Sequence, residues 1–423
     1  MSRVIVASVP LAGHVFPMIQ IAGDLVAAGH DVTVVTGERF TDLAERAGAR
    51  MRPLSGKAAF DDRRLNELFP ARVSLPPGPA MLVHDFSHVF GDPIPDQHAL
   101  LQELLAEDPD SVVVGDLMFL GVLPSMHGAG IRPRRWISVG ITPVYYPSDD
   151  TTPFGPAPAP DGTDQVEANR GFNAGLAGAV SGASQYIEDI VHSVGGTGLS
   201  FPNIFASLYH EPDVLAQLTV PEFEFPRSDL PEGLIQFVGP LTPAVPEGWE
   251  PPAWWPELDG TRPVVVVSQG TLANGDLSEL IEPTLEALAD QDVLVVAALG
   301  RPIADLDVEV PANVIVEEFV PFSQLLPRAD VFVTNGGYGS TQQALAAGVP
   351  VVVAGETEDK PSTAARVGLL ELGVDLHTQR PKPDQITEAV RHLLDTASYR
   401  ERVTRVAEAY RKVDGPRMIR DLI

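Results

Sequence analysis

Two parts of the chain carry residue types that could do chemistry. Val331-Phe332-Val333-Thr334 followed by Asn335-Gly336-Gly337-Tyr338-Gly339-Ser340-Thr341 reads as a short buried strand, a glycine-rich turn and a helix whose first turn holds Ser340 and Thr341. Amides exposed at such a turn, with the positive end of the helix dipole, make an anion site suited to a pyrophosphate. The same glycines also fit an ordinary βα turn, where they only satisfy backbone geometry. The second part is His14, in the loop Val9–Pro17 that follows the apolar run Arg3–Ser8. Histidine suits proton transfer near neutral pH. Asp116 closes another apolar run, Ser111–Gly115. If both runs are strands of an open parallel sheet, His14 and Asp116 lie at its ligand-binding end. A histidine that bonds its own turn and an aspartate that caps the next helix fit those positions as well.

The elements that must position these residues have a βα rhythm. Arg3–Ser8 predicts a strand, and Met18, Ile21, Ala22, Leu25 and Val26 share one face of a helix that Pro17 starts and Gly29 ends. Asp31–Val35 predicts the next strand, Gln97–Leu105 a helix, and Gln165–Val194 a helical stretch. After the proline-rich, tryptophan-bearing piece Phe225–Pro263, strands are expected at Val264–Val267, Val293–Ala297, Val314–Val316, Val331–Thr334 and Val349–Val353. Asp276 and Glu279 form a capping box for a helix through Leu288, Pro361 begins another, Asp384 caps a third, and 398–412 reads as a terminal one. Strands alternating with helices argue for parallel sheets covered by helices. Residues 56–95 and 142–162 break the rhythm. The first mixes charges with Phe60, Phe69, Phe86 and Phe90, and the second carries six prolines beside Tyr145 and Tyr146. Both read as loop-rich, substrate-facing segments.

At 423 residues the chain is long for one core, and two domains are expected. Apolar runs are strand-length, so no membrane span is expected, and Met1–Ser8 reads as a strand instead of a signal peptide. Zero cysteines exclude disulfides, thiolate metal sites and cysteine nucleophiles, which fits a cytoplasmic protein. A formal charge of −28 opposes binding to nucleic acid or anionic membrane. The four lysines stand at 57, 360, 382 and 412, so Lys360, inside a motif, stands out.

From Val264 to Val367 an ordered series resembles the nucleotide-sugar-dependent glycosyltransferases of the UDP-glycosyltransferase type, especially the bacterial branch acting on natural products. The pieces are Val267-Ser268-Gln269-Gly270-Thr271, Phe319-Val320-Pro321, Phe332–Thr341, Ala347-Gly348-Val349-Pro350, and Asp359-Lys360-Pro361 with Ala364-Ala365-Arg366-Val367. The first half matches more thinly, through Gly13–Met18, Asp116 and Phe237-Val238-Gly239-Pro240. The resemblance implies the GT-B architecture, two Rossmann-like α/β domains facing across a cleft. It places an acceptor domain at 1–225, a linker at 226–262, a nucleotide-sugar domain at 263–400, and a C-terminal helix at 401–423 that packs back on the first domain. It makes His14 the general base that deprotonates an acceptor hydroxyl, oriented by Asp116. It assigns the donor to Ser268, Gly270, Thr271, Phe319, Val320, Asn335, Gly337, Gly339, Ser340, Thr341, Gln343, Asp359 and Lys360. Phe319 stands where the family stacks a base on tryptophan; stacking and core packing both fit. The acceptor pocket falls to Phe60, Phe86, Thr142 and Tyr145. The family's phosphate-binding histidine is Asn335 here, its ribose-binding glutamate is Gln343, and its Asp-Gln sugar-reading pair is Asp359-Lys360.

The activity implied by the resemblance is that of an inverting transferase that moves a hexose or deoxyhexose from UDP or TDP to a lipophilic small molecule. The nucleotide sugar is a co-substrate, and neither a cofactor nor a metal is required, since donors and helix dipole can offset the leaving group's charge. A homodimer is compatible with the sequence. The departures at Asn335 and Lys360 also fit an inactive homologue serving as a binding partner, and a nucleotide-sugar epimerase of similar architecture is a third reading.

Overall fold

The structure is a computed structural model describing residues 2–76, 78–243, 245–246, 248–270 and 274–423. The chain forms two compact units. The first is Met1–Leu218 with Pro226–Leu241 and Asp414–Ile423; the second is Thr219–Phe225 with Thr242–Val413. Of the expected linker 226–262, residues 226–241 count with the first unit and 242–262 with the second.

The first unit is built on seven strands: β1 (Arg3–Ala7), β2 (Asp31–Thr36), β3 (Arg50–Pro53), β4 (Val112–Asp116), β5 (Arg135–Gly140), β6 (Val214–Gln217) and β7 (Gln236–Phe237). Their order is β3-β2-β1-β4-β5-β6-β7, with every neighbouring pair parallel. Side chains alternate across the sheet as strand geometry requires. Val4 and Val6 join Ile21 and Leu25 of the helix Ala12–Ala27 and Ile419 of the helix Gly415–Asp421. Ile5 and Ala7 join Leu101 and Leu105 of the helix Ile94–Glu107 on the other face.

The second unit carries β8 (Val264–Ser268), β9 (Leu294–Ala298), β10 (Val314–Glu317), β11 (Val331–Thr334), β12 (Val351–Val353) and β13 (Gly373–Asp375). Their order is β10-β9-β8-β11-β12-β13, again all parallel. Val264 and Val266 pack with Ala344, Leu345 and Val406, whereas Val265 and Val267 pack with Leu285 and Ile386. Both faces of the inner strands β8, β9, β11 and β12 are covered, which is why these segments read as unbroken apolar runs.

Several expectations need correction. The first helix begins at Ala12, so His14 lies in its first turn and Pro17 lies inside it. The early start is stabilised from a distance: the Ala12 amide donates to the Asp62 carboxylate at 2.7 Å. Asp62, itself buried, is ion-paired with Arg39. The helix expected through Leu288 comes in two pieces, a 3₁₀ turn Leu277–Glu279 and the helix Ile281–Leu288, with Asp276 accepting from the Ser278 amide. Lys382, not Asp384, is the N-cap of the helix Pro383–Asp395; Asp384 sits in its first turn. The stretch 398–412 is the helix Ala397–Tyr410, and a further helix, Gly415–Asp421, comes after it. Among the described residues no helix is long and apolar enough to cross a membrane.

Candidate active site

Each sheet has one place where the strand order reverses, between β1 and β4 in the first unit and between β8 and β11 in the second. Connections leaving two adjacent strands there go to opposite sides and open a crevice at the carboxyl ends. His14 follows β1 and Asp116 ends β4; Ser268 ends β8 with Gln269 and Gly270 after it, and Asn335–Ser340 follow β11. The two groups of chemistry-bearing residues therefore occupy the two switch points.

At the first, His14 Nδ1 lies 3.1 Å from Asp116 Oδ1. Asp116 is fully buried and also accepts backbone N–H groups, from Met118 on Oδ1 and from Val9 on Oδ2, both at 2.8 Å. A carboxylate can only accept, so opposite one the Nδ1 of a neutral imidazole is the donor and Nε2 keeps the lone pair. The His14 side chain is 14% exposed. A row of rings runs away from it through Phe90 (centroids 6.2 Å), Phe86 (6.1 Å), Phe205 (5.9 Å) and Tyr145 (5.9 Å, stacked). Phe86 and Phe205 are buried behind the half-buried Phe90 and Tyr145. Phe86 and Phe90 both lie in a π-helical turn, Asp85–Gly91, a rare conformation frequent at functional sites. Thr142 is half-buried, and its carbonyl accepts from Gln217. Phe60 packs edge-on against Phe69, 5.8 Å away, outside this row. Nothing local to the sequence marks the ring contacts of Phe90 and Phe205.

At the second, Asn335 is tied to both sides of the turn. Its Nδ2 donates to the Gln269 carbonyl at 2.5 Å, and its Oδ1 accepts from the Gly337 amide at 3.4 Å. Gly339 is exposed and Ser340 half-buried at the start of the helix Tyr338–Ala346, with the Ser340 hydroxyl donating to Gly337 O. Thr341 is fully buried, and its hydroxyl has no hydrogen-bond partner among the described residues. Phe319 is 62% exposed, which favours an open stacking face over core packing, whereas Val320 beside it is buried. Ser268 is buried, Gly270 has φ +76, and Gln343 and Asp359 are half-buried. Thr271 lies outside the described residues. Lys360 is buried at the start of the helix Lys360–Leu369 and paired with Glu358.

Gly336 is the position in the turn that only glycine fits. Its φ is +85, and a Cβ there would meet Val353 Cγ1 at 2.6 Å. Gly336→Ala is therefore expected to destabilise the second unit by about 1–3 kcal/mol, read as a lower melting temperature. Gly339→Ala has nothing within 4 Å of the new methyl and should hold or slightly raise it. Equal melting temperatures for the two would refute this account of the turn.

A profile of the erythromycin biosynthesis protein CIII-like C-terminal domain matches residues 282–419. Over 411 residues, 97% of this chain and 96% of the relative, the sequence is 39% identical to the 4'-demethylrebeccamycin synthase of Lentzea aerocolonigenes. The chain belongs to the UDP-glycosyltransferase-type family of natural-product glycosyltransferases. The enzyme is also 37% identical over 434 residues to UDP-glycosyltransferase 2 of Phaeomoniella chlamydospora, covering 100% of this chain and 95% of that one. Its fold is that of the GT-B glycosyltransferases. The crystal structure of the glycotransferase of kitacinnamycin matches with a TM-score of 0.73 at 24% identity, over 100% of this glycosyltransferase and 97% of the other.

Proposed function

We propose that this glycosyltransferase moves a hexose or deoxyhexose with inversion, from UDP or TDP, onto a hydroxyl of a lipophilic small molecule. One observation carries the reading: Asp116, fixed by two backbone amides, lies 3.1 Å from His14 Nδ1, an arrangement that supports Nε2 as the base. Nε2 takes the proton of the acceptor hydroxyl as that oxygen attacks the anomeric carbon, the carbon–oxygen bond to the diphosphate breaks, and Asp116 stabilises the imidazolium formed. Direct displacement of this kind inverts the anomeric centre. The ring row from Phe90 to Tyr145 supplies apolar surface for the acceptor. In the second unit, the amides at Gly339 and Ser340 and the helix dipole receive the diphosphate, and Phe319 offers its open face to the base.

The test begins with a thermal-shift panel of UDP, TDP, GDP and ADP. UDP or TDP at 100 times its dissociation constant adds about 2.7 kcal/mol, expected as a rise of a few degrees. An acceptor screen with the matching sugar donor comes next, with the anomeric configuration of the product read by NMR. No shift with any of the four would sink the donor assignment; a retained configuration would sink the displacement. Incubation with donor alone separates transfer from epimerisation, which needs no acceptor.

A further inference from the structure

We propose that Glu358 is the resident counter-anion of Lys360, that the diphosphate of the donor takes its place, and that Glu358 thereby sets how tightly a nucleoside diphosphate is held. This rests on the donor reading above and assigns a role to a residue outside that set.

Lys360 is unusual in three respects. Its side chain is 6% exposed although it carries a full charge. Its stem lies against the glycine turn and the β12 exit: a Cβ on Gly336 would come within 3.7 Å of Lys360 Cβ, and one on Gly355 within 2.9 Å of Lys360 Cδ. It also lines a small cavity with Gln269, Glu279, Asn335 and Thr357; among the described residues lining that cavity it carries the only positive charge, and the one carboxylate there, Glu279, is already ion-paired with Arg380. A buried ammonium needs an anion beside it, because an uncompensated charge is strongly disfavoured in a low-dielectric site.

Glu358 supplies that anion now. Its carboxylate is ion-paired with Lys360 Nζ, and the Thr357 hydroxyl lies 3.5 Å away. The two partners are not equivalent. The lysine is enclosed, whereas the Glu358 side chain is 32% exposed and its backbone sits at φ +58, the left-handed region that side-chain-bearing residues rarely adopt. Glu358 can turn into water at little cost in solvation, and Lys360 cannot. The exchangeable partner is therefore the glutamate.

The turn itself gives the reason for an exchange. Asn335 brings no charge, and its amide is already bound to Gln269 and Gly337. A diphosphate entering a chain of formal charge −28 meets an unfavourable field. Lys360 is the cation placed to offset it, and Glu358 competes for that cation. If Lys360 instead reads a sugar hydroxyl, it contributes nothing to a nucleotide without a sugar.

The experiment titrates UDP, TDP and uridine calorimetrically into the full chain, as wild type, Glu358→Gln, Lys360→Met, Lys360→Arg and the Glu358→Gln/Lys360→Met double variant. Glu358→Gln is expected to tighten the preferred diphosphate about fivefold to tenfold, and Lys360→Met to weaken it about tenfold, a change of 1.4 kcal/mol. Lys360→Arg should retain most of the affinity, the double variant should match Lys360→Met, and uridine should bind alike throughout. Glu358→Gln with unchanged or weaker diphosphate binding overturns the proposal, and so does Lys360→Met that binds UDP normally but loses turnover with the full donor. Glu358 is exposed, so its variant keeps the test open even where Lys360→Met unfolds. A wild type that binds neither UDP nor TDP fails at the donor reading itself, a result distinct from a wild type that binds while Glu358→Gln changes nothing.

Discussion

Replacing His14 with alanine should lower turnover by about 10²–10⁴-fold, the scale of losing a positioned general base. The substitution removes Nε2 and leaves Asp116 held by Val9 and Met118, so the sheet end keeps its shape and donor affinity should be preserved. Asp116→Asn acts on the same device from behind. Asparagine has one accepting oxygen where the carboxylate receives Val9 on one oxygen and Met118 and His14 on the other. One of these bonds is lost, and the imidazole loses its orientation or its counter-charge. On the proposed mechanism the two residues act as a unit, so the double variant should fall no more than about threefold below His14→Ala alone. Steady-state rates at saturating donor, with a binding isotherm for UDP on each variant, decide the matter. Independent, multiplying losses would show that Asp116 acts elsewhere, and an unchanged His14→Ala rate would remove the base.

The largest stability effect should come from the second unit. Arg366 has no exposed surface, and it donates to Glu224 Oε2 from Nε at 3.0 Å and from Nη2 at 2.7 Å. Nη1 donates to the carbonyl and hydroxyl of Ser362, the guanidinium lies 4.6 Å from the Phe225 ring centroid, and the Tyr338 hydroxyl donates to Glu224 Oε1 at 3.2 Å. Burial, reinforced by the Glu224 charge, pushes the Tyr338 phenol well above its ordinary range, so it remains a donor. Removing one partner leaves the other buried without its counter-charge. Glu224→Leu and Arg366→Met should each cost about 3–5 kcal/mol, and the double variant should recover much of that loss. Urea unfolding monitored by circular dichroism reads both. Single variants within about 1 kcal/mol of wild type would mean that water or another group already compensates the charge.

Much of this was legible in the chain, for reasons that differ between elements. Val264–Ser268 and Val331–Thr334 announce themselves because strands covered on both faces must be apolar throughout. β7 has two residues and lies at a sheet edge, and β13 spans only Gly373–Asp375, so neither offers a period to read. The start of the first helix was misplaced because Asp62, whose carboxylate receives the Ala12 amide, is fifty residues away. His14 and Asp116 could be found because strand ends and motif order are written locally. Glu358 could not, since neither a glutamate nor its neighbours signal a left-handed backbone. The ring row was half legible: Phe86 and Tyr145 lie in the irregular segments, but Phe205 comes from a helix, Ile204–His210, far along the chain.

The alternation of the chain between units has a consequence for making and remaking the enzyme. Thr219–Phe225 belongs to the second unit although first-unit segments flank it, and Asp414–Ile423 returns to the first after the whole second unit. Ile419, on that returning piece, is fully buried in the first unit's core. On the ribosome the first unit therefore stays incomplete until the second has been synthesised, exposing an apolar face of the helix Ala12–Ala27 in the interval. A chimera made by a single crossover near residue 242 would give the second unit a foreign Glu224 and the first a foreign Ile419. Donor-swapping by recombination needs three junctions more, so that each half inherits its own outlying segments.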